Sequence, residues 1–170
     1  MYVVKIGGSL LEHPVELRAL CRALSEIWTS VELLVVPGGG WFADTVRRAY
    51  SILGISDEVA HEMALLAMDQ YGLLLADLTP SSVVLRDLRD LEEIERGIPI
   101  LLPYSTVSKA REIPRSWRAT SDSISAYVAK SIGAKELILV KDVDGIYERD
   151  PREHPSAKFL EKIRASELSE

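Results

Sequence analysis

Lys5 sits between Val4 and Ile6 in an apolar run, and immediately beyond it the chain turns through Gly7-Gly8-Ser9. An ammonium in a covered strand is costly unless an anion meets it. A glycine-rich turn between a strand and a helix supplies such a meeting place, because backbone N–H groups can approach an anion closely and the helix dipole adds to the attraction. The same arrangement recurs where Val31-Glu-Leu-Leu-Val-Val36 runs into Pro37-Gly38-Gly39-Gly40. Either turn alone has an ordinary explanation, since glycine serves wherever the backbone needs positive φ. Two in register point to phosphate groups. A third charged turn, Lys141-Asp142-Val143-Asp144-Gly145, follows the apolar run Leu137–Val140. By composition it could equally be a plain turn, with Asp150-Pro151 as loop punctuation. Asp122, in the first turn of a helical segment, reads on its own as a dipole-stabilising carboxylate worth about 0.3–1 kcal/mol.

These residues need a scaffold that delivers them to one place. Apolar strands alternate with helical patterns along the chain, which predicts an α/β fold with a mostly parallel sheet covered on both faces. Pro14 suits a helix's first turn, and Leu17, Leu20, Cys21, Leu24, Ile27 and Trp28 follow at helical spacing. A second helix is expected over 41–53, interrupted at Gly54, and a longer one over 57–76, with Val59, Met63, Leu66, Ala67 and Gln70 on one face before Thr79-Pro80. Asp87 to Arg96 reads as a polar helix, Ile100–Leu102 as a short buried strand opened by Pro99, and 111–118 as a loop. Ser121 is the expected cap of a helix carrying Ile124, Val128 and Ile132, with Gly133 as its stop. Ligands of open α/β sheets bind beyond the carboxyl ends of the strands. All three turns are expected there, so one cleft could collect them.

Composition narrows the function classes. The 170 residues are 47% apolar, enough for a core of useful size in one domain spanning 1–170. A net charge of −6 and a pI near 5.2 argue against a broad nucleic-acid surface. Cys21, the single cysteine, cannot form an intramolecular disulfide and reads as a core group, so a reducing cytoplasm is the simplest compartment. No apolar run is long enough to cross a bilayer. His13, His61 and His154 lack the spacing of a zinc motif.

Four motifs, KIGGSL at 5–10, PGGG at 37–40, TSDSISAYVA at 120–129 and LVKDVDGIYERDP at 139–151, resemble in order and spacing the amino acid kinase superfamily. The resemblance implies a three-layer αβα sandwich that transfers the terminal phosphoryl group of ATP to a carboxylate, carbamate or phosphate. Catalytic roles fall on Lys5, which would stabilise the transferring group, and Asp122, which would hold the phosphate-binding lysines in position. It implies ATP binding by Gly7, Gly8, Ser9, Lys141, Asp142, Asp144, Gly145, Tyr147 and Asp150, with Mg2+ carried by ATP rather than by protein ligands. Gly38, Gly39 and Gly40 would form the acceptor-side loop.

The stretches AHEMALLAMDQYG at 60–72 and LPYSTVSKAREIPRSWRATSDS at 102–123 look most like the branch that converts aminomethylfuranmethyl phosphate to its diphosphate in methanofuran biosynthesis. Arg47, His61 and Arg118 are then candidate contacts to the acceptor phosphate, although a histidine in an apolar helix is more often a hydrogen-bonded structural residue. Rival readings are a kinase for UMP, isopentenyl phosphate or acetylglutamate, or a nucleotide-binding regulatory or storage protein without turnover. Members of the superfamily commonly carry a later segment with a second phosphate-binding lysine, which suggests a shortened chain or a branch without that residue. Lys158 and Lys162 read as parts of a solvated tail, and a homo-oligomer is expected.

Overall fold

A computed structural model describes residues 1–116 and 119–164, which form two compact units, one over residues 1–140 and one from residue 141 onward. In the first unit the chain runs β1 (Tyr2–Ile6), α1 (Pro14–Ile27), β2 (Leu33–Pro37), α2 (Gly40–Leu53), α3 (Asp57–Leu78), β3 (Ser82–Leu85), β4 (Ile98–Leu101), α4 (Tyr104–Val107), α5 (Ser121–Ser131) and β5 (Leu137–Val140). Among the described residues, five strands pair in parallel in the order β3-β4-β2-β1-β5. Parallel strands need crossovers, and these lay helices on both faces. The result is the expected α/β sandwich of three layers.

Alternation along β1 decides which face each side chain serves. Val4 and Ile6 join Leu33 and Val35 of β2 against Leu17, Cys21 and Leu24 of α1. Val3 instead joins Leu34 and Val36 against Ile124 and Val128 of α5. Lys5 shares its parity with Val3, so its side chain leaves the sheet on the α5 side. Cys21 is fully buried, as a core thiol should be, and burial pushes its pKa up.

Local signals set most boundaries. Pro14 occupies the first turn of α1, and Gly54 ends α2 in the left-handed conformation at φ 63°. Ser56 caps α3 by accepting from the Val59 N–H, and Asp57 and Glu58 follow in the first turn. Thr120, rather than Ser121, caps α5, its hydroxyl accepting from Ser123 N–H at 3.2 Å. Both residues are chemically able to cap. The chain enters from an extended Thr120, which leaves Ser121 already helical.

Other expectations are corrected by packing. Of the expected stripe, Val59, Met63, Leu66 and Gln70 lie on the exposed face of α3, whereas Ala67 is buried together with Ala60, Leu65, Met68, Tyr71 and Leu75. Asp87–Arg96 forms only a 3-10 segment over Leu88–Glu93, capped by Asp87. Pro99 lies inside β4, which begins at Ile98. Lys158 and Lys162 are exposed, as expected of solvated lysines, but they flank a short strand: in the second unit β6 (Ile146–Tyr147) pairs antiparallel with β7 (Phe159–Leu160), and Tyr147 meets Phe159 edge-on at 5.3 Å between ring centroids.

Candidate active site

The two glycine turns arrive together because β1 and β2 are neighbours in register, with Lys5 opposite Val36 and Ile6 opposite Pro37. The Gly38 N–H donates to the Ile6 carbonyl at 2.8 Å, and the Gly7 N–H donates to the Val140 carbonyl at 2.8 Å. A Cβ built on Gly8 would lie 2.2 Å from the backbone nitrogen of Gly40, and one on Gly38 would lie 2.8 Å from that of Gly8. Backbone therefore meets backbone with no room for a side chain. Gly40 also takes φ 53°, which an L residue adopts reluctantly.

After the first turn the chain forms a 3-10 segment, Gly8–Glu12, before entering α1. Glu12 accepts from the Trp41 indole N–H, tying this segment to α2 beyond the second turn. Tyr71 of α3 is fully buried and its hydroxyl donates to the Gly7 carbonyl at 3.3 Å; burial pushes its pKa up, so it stays a neutral donor. Sequence reasoning missed Tyr71. The available signal was a phenol on the same helical stripe as Leu75 and Met68, since a buried Tyr hydroxyl must find an acceptor.

Lys5 and Asp122 meet on the α5 side of the sheet. The Lys5 ammonium lies 2.7 Å from an Asp122 carboxylate oxygen, with the lysine side chain 5% exposed and the aspartate 33%. A nearly buried cation is thus held by a half-open carboxylate beside two glycine turns. Such a site suits the phosphate chain of a nucleotide: a fixed positive charge next to glycine turns whose residues carry no side chains over their backbone N–H groups.

A cavity of about 290 Å³ reaches the start of α5, where Ser121 precedes Asp122, and is lined by Gly39, Arg47, His61, Met68, Thr120 and Ile124, among others. Gly39, Arg47 and His61 from the predicted acceptor contacts are brought together in its walls. Arg47 also pairs with Asp44 one turn earlier on α2. His61 is buried. Burial is the main cause that lowers its pKa, and the nearby Arg115 adds to it, against opposing effects of Glu62 and the Ser116 backbone. A neutral imidazole results at neutral pH. Arg118, the remaining acceptor candidate, lies outside the described residues.

The nucleotide-side candidates Lys141, Asp142, Asp144, Gly145, Tyr147 and Asp150 belong to the second unit. There Asp142 pairs with Arg152, the Tyr147 hydroxyl lies 3.5 Å from an Asp144 carboxylate oxygen, and Asp150 accepts from the Arg152 N–H at 2.9 Å. Among the described residues, no cluster of three or more histidine, cysteine or carboxylate groups is placed to hold a metal ion, and no helix is long and apolar enough to cross a membrane.

A parallel α/β sandwich with a buried lysine and paired glycine turns at the strand ends defines a class of phosphate-handling proteins, and comparison with solved structures agrees on the fold. Uridylate kinase from Archaeoglobus fulgidus superposes with a TM-score of 0.70 at 24% identity, covering 93% of this chain and 72% of that one. An isopentenyl phosphate kinase superposes with a TM-score of 0.68 at 17% identity, covering 97% and 81%. The amino acid kinase family model matches residues 1–170, and the chain belongs to that family. Among curated relatives, [5-(aminomethyl)furan-3-yl]methyl phosphate kinase of Methanocaldococcus jannaschii is 36% identical over 172 residues, 99% of this chain and 76% of the relative. Uridylate kinase of Methanobrevibacter smithii is 30% identical over 175 residues, covering 99% and 73%. The protein is accordingly a phosphotransferase, and the kinase family implies ATP as phosphate donor.

Proposed function

We propose that the chain transfers the γ-phosphoryl group of ATP to a small phosphate monoester bound in the cavity lined by Gly39, Arg47 and His61, with aminomethylfuranmethyl phosphate as the acceptor and its diphosphate as the product. The observation that carries this reading is the Lys5–Asp122 pair at 2.7 Å, set against the glycine turns. An acceptor phosphate oxygen forms the new bond to the γ-phosphorus while the bond to the β,γ-bridging oxygen breaks, and ADP leaves. Magnesium entering with ATP supplies further neutralisation of the phosphate charge. Lys5 holds a positive charge where negative charge spreads over the transferring group, and Asp122 fixes that ammonium in place. Gly7, Gly8 and Ser9 offer backbone to the donor phosphates, and Gly38, Gly39 and Gly40 to the acceptor. No protein nucleophile is required, because in-line positioning and charge neutralisation supply most of the acceleration.

The acceptor is favoured on two grounds. The furan phosphate kinase is 36% identical over 99% of this chain, against 51% over 98% for uridylate kinase of Pyrococcus abyssi, and the stretches 60–72 and 102–123 resemble the furan phosphate branch. UMP, isopentenyl phosphate and acetylglutamate remain the competing acceptors. His61 and Arg47 would contact the acceptor phosphate, and Lys141, Asp142, Asp144, Gly145, Tyr147 and Asp150 would serve the nucleotide. A cytoplasmic setting fits ATP as the donor.

The exposed α3 residues Val59, Met63, Leu66, Gln70 and Leu73 recur at alternating spacings of four and three and carry no charge. This seam suits another helix at a shallow crossing angle. Folded on itself antiparallel about Leu66, it sets Val59 against Leu73, so a second copy of this chain is the partner it fits and a homo-oligomer is proposed.

The deciding experiment measures ADP release from Mg-ATP with aminomethylfuranmethyl phosphate, UMP, isopentenyl phosphate and acetylglutamate, using Lys5→Ala as control. Turnover restricted to the furan phosphate and lost in the control supports the reading. Faster turnover with another acceptor replaces it. ATP binding without turnover on any acceptor leaves a nucleotide-binding regulator of the same fold.

A further inference from the structure

Residues 104–116 follow β4, and at their end Ser116 lines the acceptor cavity beside His61. After α4 the chain forms neither helix nor strand through residue 116. Its backbone hydrogen bonds close on themselves: Ser108 to Tyr104, Ala110 to Val107, and Ser116 to Pro114. Val107 and Ile113 share an apolar cluster with Leu65 and Met68 of α3, and the Ser116 backbone meets His61; polar side chains add a hold at the two ends. At the start, the Asp69 carboxylate accepts from the Tyr104 N–H at 3.0 Å. At the other end, one Arg115 nitrogen donates to Glu58 of α3 at 3.1 Å while the other donates to the Ser108 carbonyl at 2.9 Å.

We infer that Arg115 is a positioning residue for the acceptor: its guanidinium staples the 108–116 segment to Glu58 on α3 and across to Ser108, and so sets the wall of the cavity at Ser116.

Several features converge on this role. The guanidinium is a planar fork, so it can hold two acceptors in different directions at once, which a lysine ammonium on the same stem does poorly. The ion pair itself is half exposed, with the two side chains 54% and 62% open, and contributes little to global stability. Its effect is therefore local. It fixes one stretch that has no regular structure, next to the place where a small ligand must be held to within a fraction of an ångström. Arg115 also stands close enough to His61 to bias that imidazole toward neutrality, which ties the staple to the same cavity.

The inference rests on the proposed acceptor cavity, and its test separates failure of the staple from failure of that reading. Arg115→Met keeps the aliphatic stem and removes the fork, Arg115→Lys keeps the charge, and Glu58→Gln weakens one arm. The full-length variants are compared for KM toward the acceptor, KM toward ATP, kcat, and cleavage after Glu112 by a glutamate-specific protease. Arg115→Met is expected to raise acceptor KM about fivefold or more, to leave ATP KM within about twofold, and to speed cleavage at Glu112, with Glu58→Gln and Arg115→Lys intermediate. Unchanged cleavage at Glu112 overturns the staple whether or not the protein turns over any acceptor in the panel. Faster cleavage with an unchanged acceptor KM, or with acceptor and ATP KM rising together, overturns its role in positioning the acceptor. Faster cleavage in a protein that turns over no acceptor overturns the kinase reading of the cavity while leaving the staple in place.

Discussion

The Lys5–Asp122 pair should separate stability from activity when its two members are removed one at a time. The pair is asymmetric: the lysine side chain is 5% exposed and the aspartate 33%. Asp122→Asn leaves an ammonium almost out of water without its counter-charge. Breaking a fully buried pair this way costs about 3–5 kcal/mol, and the open side of Asp122 scales that down to about 2–3 kcal/mol. For a chain of this length, that amounts to a fall in Tm of about 4–12 °C. Lys5→Met removes the buried charge and leaves a carboxylate that can turn to water, so the fall should be under about 4 °C. Activity should rank the other way. Lys5→Met removes the cation itself and should cut kcat by about a hundredfold to a thousandfold, while Asp122→Asn only loosens it and should cost less. Combining the two should restore most of the stability lost in Asp122→Asn, since no uncompensated buried charge remains. Thermal melts followed by circular dichroism, together with ADP release from Mg-ATP, read both axes. If Asp122→Asn melts with the wild type, or Lys5→Met proves the less stable of the two, the argument from an asymmetric buried pair is wrong.

Three further outcomes follow from particular contacts. Gly8→Ala would place a methyl 2.2 Å from the Gly40 nitrogen, so the two turns must part, and at least a tenfold loss of kcat/KM should accompany a cost of about 1–3 kcal/mol in the melt. His61 is held below its ordinary pKa of 6.5, mainly by burial, so the unfolded chain binds the proton more readily. Its contribution to stability should be fully present above about pH 6.5 and decline as the pH falls toward the folded value. In urea titrations from pH 7.5 to 5, His61→Gln should flatten that decline, and an unchanged slope would remove the histidine from the account. Leu66→Glu puts a charge at the middle of the exposed α3 seam and should convert a sedimenting dimer to monomer with the Tm of the isolated fold little changed, whereas a wild-type monomer at micromolar concentration would rule the seam out as a self-contact.

Much of this site is written in short stretches of sequence because its parts are local. A strand ending in consecutive glycines, a proline at a helix's first turn, a glycine at its end, and a lysine inside an apolar run each declare their own backbone state within a few residues. That is why the ranges of α1, α2, α5 and β5 could be read with small errors, and why Lys5 and the turns at 7–9 and 38–40 stood out as candidates for phosphate handling. Packing decided what local chemistry left degenerate. On α3, Val59, Met63 and Leu66 make one apolar stripe and Leu65, Met68 and Leu75 another, so helical periodicity alone could not say which of them faces the sheet. Asp87–Arg96 has helical composition, but only Leu88–Glu93 winds, as a 3-10 segment, before the chain must rejoin the sheet at Ile98. β3, four residues directly behind Thr79-Pro80, carries too short a pattern to stand out from a loop and exists because β4 pairs with it. The partnership of Lys5 with Asp122, the support of Gly7 by Tyr71, and the hold of Arg115 on Glu58 join residues far apart in the chain. Such pairs cost loop entropy that only a folded sheet and its helices repay together, so the sequence supplied the groups and the tertiary structure chose their partners.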